Sequence, residues 1–146
     1  MDNLNKLSDE ADLFLRDGDY QAAIARLLTI LEISPGYDEF GDIYQDVAIC
    51  FEGLGEFAKA DEYFSISIHR AKGANPQELF HRNRYGLFLK NHGDPKLAFD
   101  ELINAHRLLR QQGFTEEVLP DLRNNLLEIG HSLQMTESDV LRYLDE

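Results

Sequence analysis

The chain has a single cysteine, no tryptophan, four prolines and 14 basic residues against 27 acidic ones. Cys50 has no second cysteine to pair with, so an internal disulfide is excluded, which fits a reducing compartment. It lies between Ile49 and Phe51 in an apolar stretch and reads as a small buried hydrophobe. Long apolar runs are also missing. The stretch Ala22 to Leu31 is broken by Arg26 and falls short of the roughly 20 residues of a spanning helix, so no transmembrane segment is expected. The opening segment Met1 to Ser8 carries Asp2 and Lys6 and no apolar core of a secretory leader, which makes cytoplasmic residence the expectation. The shortage of basic residues leaves a formal net charge of −13, which argues against nucleic acid and anionic membrane as partners because both would repel the chain.

What is present suits a folded domain. With 146 residues, 43% hydrophobic and 28% charged, the chain can bury one continuous core without a disulfide or metal, and residues 1–146 read as a single domain. The charge is uneven: residues 1–62 hold 15 acids and 4 bases, residues 63–115 hold 4 acids and 8 bases, and residues 116–146 hold 8 acids and 2 bases.

Three short phrases answer one another along the chain: Gly18-Asp19-Tyr20, Gly55-Glu56-Phe57 and Gly93-Asp94-Pro95. Each lies between stretches with apolar residues at helical spacing, where a glycine suits the left-handed residue that ends a helix. After each turn a small residue is followed four positions later by a large one: Ala23 and Leu27, Ala60 and Phe64, Ala98 and Leu102. Before each turn a second pattern recurs: Leu7, Ala11 and Phe14; Tyr44, Val47, Ala48 and Phe51; Tyr85, Gly86 and Leu89. The small members share a helix face with the large ones and allow close helix approach. Helices are predicted near 3–17, 20–33, 38–54, 57–72, 77–92, 95–112, 116–129 and 137–145. Gly130, 37 residues after Gly93, is read as continuing the series into a terminal unit.

This pattern resembles the tetratricopeptide repeat, in which a bulky residue, a small residue and an aromatic precede a turn, and an alanine and an aromatic follow it. The resemblance is clearest where Gly18-Asp19-Tyr20, Ala23-Ile24, Leu27 and Leu31-Glu32 lead to Pro35. It implies an all-α fold, a right-handed α-solenoid of antiparallel helix pairs with about eight helices. Repeat one spans about 4–36, repeat two about 40–74 and repeat three about 77–112, with a capping helix and a short C-terminal helix in 115–146. Arg82 stands where the family has a bulky apolar residue, and Ser67 where alanine is usual.

No sequence feature nominates a catalytic site. The histidines His69, His81, His92, His106 and His131 lack the spacing of metal ligands, no Cys-x-x-Cys or His-Glu-x-x-His occurs, and the glycines punctuate helices instead of cradling phosphate. Catalytic residues, metal and cofactor are expected to be absent.

Tetratricopeptide proteins bind partners on the concave surface lined by the first helices of successive pairs. Carried over residue by residue, that face comprises Asn5, Ser8, Asp12 and Leu15, then Asp42, Gln45, Ile49 and Glu52, then Phe80, Asn83, Leu87 and Lys90. The family's carboxylate-gripping variant needs lysine, asparagine and arginine where this chain has Ser8, Asp12, Asp42 and Gln45, so chaperone-tail recognition is disfavoured. The resemblance thus implies a non-catalytic adaptor or regulator, a monomer or weak homodimer, that holds a peptide or helix of another protein with basic residues. That segment's basic part is expected over Asp12, Asp42, Glu52 and, at the edge, Asp46, while Phe80 and Leu87 take an apolar side chain and Lys90 meets an acid or carbonyl. Two other readings fit the same features: a dedicated chaperone or neutralising partner of a secreted effector or toxin, and an enzyme whose site is spread through the sequence.

Overall fold

The computed structural model describes residues 2–145, which form eight α-helices and no strand. They fall into two compact units, one up to Lys72 and one from Gly73 onward. The first contains α1 (Asp2–Arg16), α2 (Tyr20–Ile33), α3 (Asp42–Gly53) and α4 (Phe57–Ala71). Here α1 packs on α2, α2 on α3 and α3 on α4. The second contains α5 (Gln77–His92), α6 (Pro95–Gln111), α7 (Leu122–Ser132) and α8 (Glu137–Asp145). Within it α5 packs on α6, α7 on both of them, and α8 on α6 and α7.

The repeated small residues lie where helices meet. Ala11, Ala23, Ala48, Ala60 and Ala98 are each 0% exposed. Gly86 in α5 is buried against α6, where a Cβ would come within 2.5 Å of the Leu102 side chain. The large residues four positions on fill the space beside them: Leu27, Phe64 and Leu102 are at most 2% exposed. Substituting Leu at Ala60 or Ala98 is therefore expected to lower stability by about 1–3 kcal/mol through overpacking. Urea unfolding of both variants checks this; two neutral results would mean that these alanines do not set the helix spacing.

The first two turns close as the sequence predicts. Gly18 and Gly55 have φ near +75°, and the following amides, Asp19 N–H and Glu56 N–H, reach back to the carbonyls of Phe14 and Phe51 at 2.8 and 2.9 Å. The third turn differs. Gly93 is extended (φ −130°), and the turn is closed from the other side: the Asp94 side chain accepts from Lys96 N–H at 2.8 Å, and Pro95 occupies the first helical position. Gly130 is not a turn residue at all. It sits inside α7, where its missing side chain lets Val140 of α8 approach, and the turn falls instead at Gln134, with φ 63°.

Two helix starts also move. The helix expected from residue 38 begins at Asp42, since the Asp38 carboxylate accepts from Ile43 N–H and Tyr44 N–H, each at 3.0 Å, and so caps the helix from outside. The helix expected over 116–129 spans Leu122–Ser132. Glu116–Val118 forms a 3₁₀ turn, and Pro120 disfavours a helical conformation at the preceding residue, Leu119 (φ −130°, ψ 74°).

The two departures from the repeat pattern are both accommodated. Buried Ser67 donates its hydroxyl proton to the Phe64 carbonyl at 2.7 Å. Arg82, with its side chain 16% exposed, donates to Glu78 at 2.8 Å and Glu101 at 2.9 Å, an ion-pair network in place of an apolar contact.

Candidate functional site

In the first unit the nominated residues lie on α1 and α3. Asp12 and Asp42 are exposed, Asp42 in the first turn of α3, while Ser8, Leu15, Gln45, Ile49 and Glu52 are half-buried. Asn5 is exposed, and its side-chain oxygen accepts from the Tyr37 hydroxyl at 3.2 Å.

The electrostatic centre of this region is Asp46, one helical turn along α3 from Asp42. Burial, followed by the carboxylates of Asp12, Asp42 and Asp38, pushes its carboxyl up to about 7. Like charges around a partly desolvated acid have this effect because the ionised form loses water and gains repulsion. Neither Asp12 nor Asp46 has a hydrogen-bond or ion-pair partner among the described residues. Asp38 plays another part: only 3% exposed, it spends its carboxylate on the start of α3. Arg70 of α4 donates to the Asp38 backbone carbonyl at 3.3 Å and lies 4.7 Å from the Tyr44 ring centroid.

Below Asp46 is Cys50, 0% exposed, whose thiol is pushed up to about 12 by burial and by the Asp46 charge. A thiol in that state is protonated at neutral pH and a poor nucleophile. Among the described residues no group of three or more His, Cys, Asp or Glu side chains is placed to hold a metal ion, and no helix is long and apolar enough to cross a membrane.

The nominated residues of the second unit are differently engaged. Phe80 is 40% exposed. Asn83 and Leu87 line a cavity of about 100 Å³ shared with Leu119 and Leu122 at the start of α7. Lys90, expected to meet a partner's acid or carbonyl, donates to Asn125 at 2.9 Å and to Glu128, both on α7. Arg82 is spent on Glu78 and Glu101, and Lys96 pairs with Asp100 at 3.2 Å. Three of the basic residues in the segment 81–96 thus have their charges met inside the chain.

The sequence places Asp46 at the edge of the acidic face, whereas burial and the surrounding carboxylates hold its carboxyl well above the ordinary range. Its position four residues after Asp42 was the available signal. The capping role of Asp38 and the pairing of Lys90 with α7 carried no comparable signal.

No protein-family model matches this chain, and no curated protein matches it.

Proposed function

We propose that the chain is a tetratricopeptide-type adaptor, without catalytic activity, that binds a basic segment of another protein on the α1–α3 face of its first unit. The observation that supports this reading is the half-buried Asp46, unpartnered among the described residues, beside Asp12 and Asp42. A lysine or arginine delivered there would relieve the repulsion among these acids and gain charge-assisted hydrogen bonds. Half-buried Ile49 and Leu15 provide apolar surface on the same two helices. The second unit adds no free basic end through Lys90 or Arg82, so the electrostatic selection comes from the first.

The test uses fluorescent peptides that place lysines and arginines in an apolar helical frame. Reversing Asp12 and Asp42 to lysine together is expected to weaken binding at least about tenfold, with a flatter salt dependence. Reversing two exposed acids of the second unit, Glu117 and Glu137, should change it by no more than about twofold. Equal losses in both double variants would remove the α1–α3 face from the account.

A further inference from the structure

In the second unit, the end of α6, the start of α7 and the end of α8 surround a cavity of about 330 Å³ that the adaptor reading leaves unused. His106, only 5% exposed, lines it together with Leu109 and Leu144, and Arg110, Thr115 and Arg123 contribute polar groups. The His106 ring makes no hydrogen bond among the described residues. Glu116 holds Oε1 at 3.9 Å from Nε2, beyond hydrogen-bond reach.

Among the described residues each of the two arginines makes one hydrogen bond. Arg110 donates to the Leu144 carbonyl at 2.9 Å, and Arg123 donates to Glu116 at 2.6 Å. A guanidinium has five N–H donors, so one bond apiece leaves the cavity rich in donors. Two carboxylates, Glu116 and Asp145, lie on the same cavity and offset the two guanidinium charges. Among the described residues that line the cavity, the charges therefore cancel while His106 is neutral and leave one positive charge when it is protonated.

We propose that this cavity binds a monocarboxylate, held by Arg110, Arg123 and His106, with its apolar portion against Leu109, Leu144 and Phe114. A guanidinium matches a carboxylate in a planar, two-point fashion. A single negative charge matches what a protonated His106 adds, whereas a phosphate dianion would leave the site net negative. Binding is proton-linked. In the empty site burial is the largest influence on His106 and lowers its pKa below 6.5; Arg110 and Arg123 act in the same direction, while Glu116 and Asp145 oppose them. A bound carboxylate adds a negative charge beside the ring and draws a proton onto it. The carboxylate has two possible sources, a free organic acid or a glutamate side chain of a partner protein.

The experiment follows the His106 ring by proton–nitrogen NMR near pH 6.5, with the ring assigned from a His106→Gln variant. Sodium benzoate, sodium acetate and an end-blocked glutamate peptide are titrated against sodium chloride at matched ionic strength. A saturating shift with a carboxylate but not with chloride is expected, along with an upward move of the His106 titration midpoint. Arg110→Gln should weaken binding at least about fivefold while leaving helix content unchanged, and Arg110→Lys should restore part of it. Because Arg110 also anchors Leu144, Thr115→Val serves as a second variant that leaves that contact intact, and a smaller loss of affinity is expected. Saturation by benzoate or acetate identifies a free acid as the ligand; saturation by the blocked glutamate alone identifies a partner's side chain. Both outcomes uphold the site. Shifts that match chloride for every probe, or undiminished binding in both Arg110→Gln and Thr115→Val, overturn it.

Discussion

Replacing Asp46 by asparagine is expected to stabilise the first unit above neutral pH and to flatten its pH dependence. The Asp46 carboxyl is raised from 3.8 to about 7 in the folded chain, so between these values the folded state holds a proton that the unfolded state has released. Its contribution to stability is fully present below 3.8 and is lost as pH rises through about 7. At 1.4 kcal/mol per pH unit the whole window is worth on the order of 4 kcal/mol. Asparagine keeps the shape and an acceptor oxygen but cannot ionise, so the variant should gain most of that amount at about pH 8 and little near pH 4. The amides of α3, followed by hydrogen exchange, are the best readout. Whole-chain melting would mix in His106, whose lowered pKa makes the second unit lose stability as pH falls below 6.5. Identical pH profiles for the variant and the parent would show that Asp46 is ionised and solvated at neutral pH.

Gly41→Ala is expected to be among the most damaging single methyl additions to the first unit, lowering its stability by roughly 3 kcal/mol. Gly41 is buried just before α3 with φ +83°, a conformation that costs a residue with a side chain about 1–2 kcal/mol. The new Cβ would also stand 2.5 Å from the Ser67 carbonyl oxygen and 2.9 Å from its Cα. These are main-chain atoms of α4 at a residue that is 0% exposed, so they have nowhere to retreat. The matched control is Gly36→Ala in the exposed turn Pro35–Tyr37, where nothing lies within 4 Å of the added methyl. It should change stability by less than about 0.5 kcal/mol. Similar urea midpoints for the two variants would refute the close contact between the start of α3 and α4.

The binding consequence follows from the same region. Because Asp46, Asp12 and Asp42 repel one another, a basic partner segment on the α1–α3 face would stabilise the first unit as well as occupy it, and the gain would be largest above neutral pH, where Asp46 is ionised.

The sequence by itself determined the helices, their approximate limits and the residues that let them pair. Ala23, Ala60 and Ala98, the large residues four positions after them, and the turns at Gly18 and Gly55 were legible because helix periodicity and turn chemistry act over a few neighbouring residues. The exceptions were also local in cause but depended on competition: Asp38 capped α3 from outside, Pro120 delayed α7, and Gly130 served packing against Val140 instead of a turn. Tertiary structure alone decided which charges remain available. Lys90 finds Asn125 and Glu128 some 35 to 38 positions away, and Arg82 finds Glu101 across α5 and α6, so basic residues that look free in the sequence are spent. Asp46 stays unpartnered among the described residues, and His106 reaches a cavity formed by chain segments up to 39 positions apart. Charge pairing and desolvation depend on what the folded chain brings within a few ångströms, and that proximity is set by packing between distant segments instead of by spacing along one helix.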